Sequence, residues 1–230
     1  MAGSNVTLAP IERVTLNDLA YARLKQALLS GRIEPGTTLT LRQLADVLGT
    51  SVMPVREAVT RLSAENALVV VPNRGIIVPP LDAEAADEVW DLRIQLEGHA
   101  TALAAQRADT EAISKINELC NALRDAMEAG DIHRVLECNS EYQFAIYKSA
   151  RSPLLLQLIE VLRMKSVPYC AAALRVLVGE RPPYYQAALR NHDAIAAAIA
   201  AGDAELAQSV KQADLREFRT FVNSVNGGQL

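Results

Sequence analysis

The sequence predicts a mostly α protein, an N-terminal winged helix-turn-helix followed by a C-terminal all-α helical bundle. Three observations carry this. Ala, Leu, Glu, Arg and Gln fill long stretches, while ten prolines and eleven glycines stay sparse and sit at element ends, so helix dominates. Two short helical patterns meet at the tight turn "GTS", residues 49–51. Then "LVVV" and "IIV" flank "PNRG", β-branched runs around a turn that describe a hairpin.

Taken in order, Leu16, Leu19, Ala20, Leu24, Ala27 and Leu28 recur at helical spacing up to Gly31, giving a first helix. Thr40 is placed to cap a second, which carries Leu41, Leu44, Ala45 and Leu48 at i, i+3, i+4, i+7, with Gly49 as its left-handed stop. Ser51 offers a hydroxyl to cap a third helix. Pro54 falls in its first turn, where a missing amide costs no intrahelical bond. Val55, Val59 and Leu62 then face inward and leave Val52, Met53 and Arg56 outward. A short turn of this kind crosses two helices steeply, so the later one can lie in a DNA major groove with its first residues at base edges. Arg56 has the reach to read guanine or grip phosphate, with Arg42 and Arg74 on either side for the backbone.

The charge distribution agrees. Net charge is −4, yet residues 1–80 hold eight Lys and Arg against six Asp and Glu, leaving 15 against 21 beyond, so the halves carry +2 and −6. Only the first half suits a polyanion. The pair Pro79-Pro80 marks the boundary, giving a first domain over 1–78, a linker over 79–81 and a helical second domain over 82–230. There is neither a basic-then-apolar leader nor an uncharged apolar run of about 18 residues, so a cytoplasmic protein with no membrane partner is expected. Cys120, Cys138 and Cys170 form no CxxC pair and are expected as buried free thiols. A metal-dependent hydrolase is disfavoured: the chain lacks HExxH, a Gly-rich phosphate loop and a nucleophile elbow, and its only histidines are His99, His133 and His192. No catalytic residue is expected.

At this point the segment "PGTTLTLRQLADVLGTSVMPVREAVTRLSAENALVVVPNRGIIV" resembles the DNA-binding domain of the GntR family of bacterial transcription regulators. Residues 89–105, "VWDLRIQLEGHATALAA", resemble the opening helix of the FCD effector domain of the FadR-like subfamily. Carried over by position, the resemblance implies DNA contacts at Arg42, at Ser51, Val52, Met53 and Arg56, and at Asn73, Arg74 and Gly75 in the wing. One departure stands out. The family motif "SRTPVRE" has an arginine where this chain has Val52, which removes a base contact and implies a different operator or heavier reliance on the others.

Beyond Asp82 the pattern gives helices beginning near Asp82, Asp109, Asp131, Ser152, Pro182 and Asp203. That number resembles the six-helix, VanR-like version of the FCD domain. Polar residues interrupt its apolar stripes: Arg93 among Val89, Trp90, Leu96 and Ala100; Asn139 and Gln143 beside Leu136 and Ile146; His192 beside Leu189, Ile195 and Ile199; Asp214 beside Val210 and Phe218. Unpaired in a dry core each would cost roughly 1–3 kcal/mol, so they surround water, a metal or a small ligand, or satisfy one another, as Arg93 with Asp214 could. The family often binds a divalent metal, and the matching positions are Asn139, Gln143, His192 and Asp214. A glutamine carbonyl is a poor ligand for zinc or nickel and one imidazole gives little selectivity. The set for a metal thus reduces to Asn139, His192 and Asp214. The residues certify no cofactor and leave open a metal site or a metal-free pocket where Arg93 pairs with an anionic effector. The expectation is a metabolite-responsive repressor that binds a palindromic double-stranded DNA operator as a homodimer. The alternative is an architectural or metal-responsive DNA-binding protein whose second domain only dimerises or senses a metal.

Overall fold

The computed structural model describes residues 15–33, 36–72, 74–79 and 83–225. The first unit contains α1 (Leu16–Leu29), α2 (Leu41–Leu48) and α3 (Val52–Ala64), then β1 (Val69–Val71) and β2 (Gly75–Ile77). Thr15 with Asp18, and Thr40 with Gln43, form reciprocal capping boxes that satisfy the free amides of α1 and α2. Gly49 closes α2 in the left-handed conformation, as its position in the sequence required. Ser51 has the extended backbone of an N-cap, but its hydroxyl makes no cap bond, contrary to expectation. Leu16 and Leu19 are also exposed rather than inward, because the buried stripe of α1 starts one turn later at Ala20 and runs through Leu24 to Leu28 and Leu29.

β1 and β2 pair antiparallel in the register Val69–Ile77, Val70–Ile76 and Val71–Gly75. A one-residue bridge, Leu39 to Ile76, ties this wing to the segment before α2. That bridge explains Gly75. Its φ is +112°, and a Cβ there would stand 2.5 Å from the Leu39 carbonyl oxygen, so only glycine lets the wing close against the helices.

The second unit is α4 (Ala83–Arg107), α5 (Thr110–Ala129), α6 (Ile132–Ser149), α7 (Pro153–Glu180), α8 (Tyr184–Ala200) and α9 (Ala204–Val225). Asp109 and Asp131 cap α5 and α6 with their carboxylates, as expected; Asp82 lies outside the described residues, along with Pro80 and Leu81. α4 lies along α9, α5 along α6 and α8 along α9; most of the buried apolar residues form one cluster, while Trp90 and Ile94 of α4 and Leu215 and Val222 of α9 form a second with Cys170 and Ala173. Helix α7 serves two cores. Its residue Met164 is fully buried in the cluster of the first unit, together with Leu24, Leu28, Val55 and Leu62, while Ala171, Leu174 and Leu177 pack into the bundle. Pro168, inside α7, removes the amide that would bond the carbonyl of Met164. All three cysteines are buried free thiols. Among the described residues no helix is long and apolar enough to cross a membrane.

Candidate DNA-reading face and effector cavity

The turn between α2 and α3 presents Arg42 on one helix and Met53 and Arg56 on the other, all exposed, with Met53 at 70%. Among the described residues Arg42, Arg56 and Arg74 make no ion pair, whereas Arg61 on the same helix is held by Asp18 at 3.0 Å and stacks 3.9 Å from the Tyr21 ring centre. Exposed guanidinium groups without an ion pair thus stand on α2, on α3 and in the wing. Val52 is half-buried against the core instead of turned fully outward, since α3 begins there and its first turn leans on the helices behind. Ser51 is exposed, its hydroxyl left for an outside partner. Asn73 lies outside the described residues. Gly75 is held by the Leu39 contact, so only its backbone is open to a DNA role.

Arg93, Asn139, Gln143, His192 and Asp214, from α4, α6, α8 and α9, line a single cavity of about 50 Å³. The sequence pattern placed those five residues on four stripes; the fold brings the stripes together. Three further charged groups belong with them. Glu97 (α4), Arg163 (α7) and Lys211 (α9) are buried at 0%, 3% and 0% exposure.

Glu97 is the hub. Its Oε1 accepts from Arg93 Nε at 2.7 Å, and its Oε2 accepts from the Tyr147 hydroxyl and from Arg163 Nη1 at 3.4 Å, with Lys211 Nζ 3.9 Å away. Burial alone would raise this carboxyl, but Arg93, Arg163 and Lys211 outweigh it and hold it at about 2. It is therefore ionised. Arg93 also donates to Ser166 Oγ at 3.1 Å and lies 4.5 Å from the Trp90 ring centre, so Glu97, Ser166 and Trp90 hold it in place. The pairing of Arg93 with Asp214, one way the polar residues could satisfy one another, does not occur: Glu97, one turn along α4, takes the guanidinium. Asp214 instead faces Lys211 at 3.6 Å and accepts from Asn191 Nδ2 at 3.4 Å.

Among the buried atoms of the described residues that have no hydrogen-bond partner are Arg163 Nε and His192 Nδ1. Both residues line the cavity. Burial lowers the His192 pKa, keeping the imidazole neutral, and Tyr142 anchors it by an edge-on ring contact and a 2.9 Å bond to its carbonyl. Three cations, Arg93, Arg163 and Lys211, thus face two carboxylates, Glu97 and Asp214. With the Lys211 ammonium, which burial pushes below its ordinary range while Asp214 and Glu97 oppose the shift, the cavity is one positive charge in excess, and the unpartnered Arg163 Nε and His192 Nδ1 ask for a ligand or water.

A divalent metal fits these residues poorly. Gln143 Oε1 accepts from Lys211 Nζ at 2.7 Å, which takes that oxygen from a metal, and the Tyr147 hydroxyl 2.9 Å from it gives its one proton to Glu97. Asp214 is turned to Lys211 and Asn191. Of the positions the resemblance marked, only Asn139 and His192 remain, and among the described residues no group of three His, Cys, Asp or Glu could hold a metal.

Comparison with known proteins settles the family. Residues 16–78 match the bacterial regulatory proteins of the gntR family, and residues 88–217 match the FCD domain. The HTH-type transcriptional regulator McbR of Escherichia coli is 33% identical over 79% of this chain and 81% of its own. The chain belongs to the GntR family. A solved structure of E. coli McbR/YncC superimposes with a TM-score of 0.82 at 30% identity, covering 92% of this chain and 99% of that one. A probable D-xylose utilization operon repressor of Paenarthrobacter nicotinovorans is 25% identical over 97% of this chain and 96% of its own. A GntR regulator from Rhodococcus sp. RHA1 shares the fold, with a TM-score of 0.69 at 19% identity over 90% of this chain and 97% of that one. This GntR-family chain is a DNA-binding transcriptional regulator with an FCD effector domain.

Within the GntR framework the missed residues have recognisable signals. Glu97 stands four residues after Arg93 on the same face, and Lys211 three before Asp214, so each was an i, i+4 or i, i+3 neighbour of a residue already singled out. Arg163 had none, because α7 is buried on more than one side and shows no clean polar stripe.

Proposed function

We propose that this GntR-family protein is a homodimeric, metabolite-responsive repressor whose units, residues 1–78 and 82–230, bind a palindromic operator and a small anion respectively. The observation that carries it is the cavity's positive excess combined with the unpartnered Arg163 Nε and His192 Nδ1. A carboxylate or phosphate oxygen meets both needs: it neutralises the surplus charge and accepts from the guanidinium. The volume allows only a few water-sized molecules, at roughly 10–15 Å³ each, so the anion is small or the helices part around it. Contact falls to Arg163, His192 and Asn139, with Arg93 and Gln143 as the frame that holds them. On the DNA side, Arg56 reads a base edge, Arg42 and Arg74 grip phosphates, and Ser51 and the Gly75 backbone contribute hydrogen bonds.

Coupling runs along α7, where Arg163 faces the cavity and its neighbour Met164 is sealed in the core of the DNA-binding unit. An operator obtained by selection from random duplexes serves the test. Fluorescence anisotropy then follows its release from the full chain while a panel of small carboxylates and phosphates is titrated. Release by one of them, lost in Arg163→Gln with operator affinity intact, supports the proposal. A response unchanged in Arg163→Gln defeats the assignment of the cavity.

A further inference from the structure

We infer that Lys211 is the resident cation of the cavity, a tethered ammonium holding the place that a divalent metal would take between Gln143 and Asp214. Its Nζ donates to Gln143 Oε1 of α6 at 2.7 Å and stands at ion-pair distance from two carboxylates, Asp214 Oδ2 of α9 at 3.6 Å and Glu97 Oε2 of α4 at 3.9 Å. The side chain is fully buried, and its stem passes the Tyr147 ring with Nζ 5.9 Å from the centre. Burial and the nearby Arg163 and Arg93 push the Lys211 pKa below its ordinary range, and Asp214 and Glu97 are the charges that oppose them. A divalent ion entering the same point would lose Gln143 and Asp214 as donors and would meet Lys211, Arg93 and Arg163 as like charges. The oxygens that would bind a metal thus already serve a covalent substitute, one that neither dissociates nor answers to chelators.

This inference rests on the cavity geometry and needs the effector reading only for its consequence, that the anion is recognised by side chains alone. The test therefore uses neither effector nor DNA. Full-length wild type, Gln143→His and Gln143→His/Lys211→Ala are stripped with chelator, exposed to excess Zn²⁺ or Mn²⁺ and desalted, and retained metal is measured by elemental mass spectrometry. Gln143→His supplies a good imidazole ligand, so it isolates the effect of the ammonium. Wild type and Gln143→His are expected to retain no stoichiometric metal, while the double variant takes up about one Zn²⁺ per chain, binding on the order of 100-fold or more tightly than Gln143→His. About one equivalent in either Lys211-containing protein overturns the inference. So does a double variant, folded by circular dichroism, that binds no better than Gln143→His. If the double variant does not fold, the two Lys211-containing proteins still decide the matter: retained Zn²⁺ refutes it and its absence supports it. Operator release in the presence of chelator is a separate readout, and its failure would count against the effector reading alone.

Discussion

Replacing Glu97 with glutamine keeps the shape of the hub and removes its charge. In Glu97→Gln, Arg93, Arg163 and Lys211 would face only Asp214, leaving two uncompensated positive charges in a region that excludes water. Breaking a buried pair by removing one partner costs about 3–5 kcal/mol, and here one carboxylate serves three cations, which places the loss at the upper end. For a chain of this size each kcal/mol moves Tm by about 2–4 °C, so the bundle should melt on the order of 10 °C lower. Differential scanning calorimetry at pH 7 measures this. The pH profile adds an independent check. The folded carboxyl is held at about 2, below its ordinary 4.5, against burial and by Arg93 on α4, Arg163 on α7 and Lys211 on α9, with the Tyr147 hydroxyl of α6 donating to it. The stabilisation is therefore fully present above about 4.5 and is lost as pH falls toward 2, so the gap between wild type and Glu97→Gln should be flat from pH 7 to 5 and close below that. An anion that binds the cavity should also raise the Tm of the variant more than that of the wild type. A loss below about 1 kcal/mol, or a gap that does not narrow in acid, would refute the view of Glu97 as an ionised hub.

Three further outcomes are expected. Met164→Ala removes a fully buried side chain from the DNA-binding core and should cost about 2–5 kcal/mol by urea unfolding, although residue 164 belongs to the bundle's own helix. Gly75→Ala forces a Cβ against the Leu39 carbonyl at a left-handed φ, and should weaken operator binding measured by anisotropy without changing the unfolding of the bundle. Arg56→Ala should cost about 1–3 kcal/mol in specific binding and relax preference at one base pair, whereas Arg42→Ala should weaken all sequences alike and reduce the salt slope by about one; identical behaviour of the two would remove the distinction between base and phosphate contacts.

The helical starts in the bundle were legible because Asp109, Asp131 and Asp203 bond the first free amides of their helices, signals decided within one turn; Ser152 makes no such bond, and Pro153 opens its helix. The wing was legible for the same reason, down to the β-branched runs that pair as β1 and β2. The five polar positions on four stripes were readable as interruptions of an apolar pattern, and they converge. What escaped was the pairing among them. Which cation Glu97 serves depends on how α4, α7 and α9 cross, a tertiary quantity with no local signature. Arg163 was hidden because its helix is apolar on several faces at once, and a residue buried in such a helix breaks no stripe. The same cause concealed Met164, whose core lies in the other unit.

That double burial of α7 makes a mechanical argument. Successive residues on a helix point about 100° apart, so Arg163 and Met164 cannot face the same way, and here each ends in a different core. The ion pair Lys25–Glu160 at 2.6 Å and the Tyr169 hydroxyl, which donates to the Pro79 carbonyl at 2.7 Å, fasten the same helix to α1 and to the chain leaving the wing. An anion that draws the Arg163 guanidinium from Glu97 acts on a segment whose next residue is close-packed under α1 and α3. Packed cores shift between discrete arrangements rather than deform continuously, so a small displacement at residue 163 must either be absorbed at Pro168, where a ladder bond is already missing, or be passed to the helices that present Arg42 and Arg56. The two routes differ in outcome. Restoring the missing amide with Pro168→Ala would stiffen α7, and it should strengthen the effector's influence on operator affinity if Pro168 absorbs part of the displacement, and leave it unchanged if the motion passes entirely through Met164.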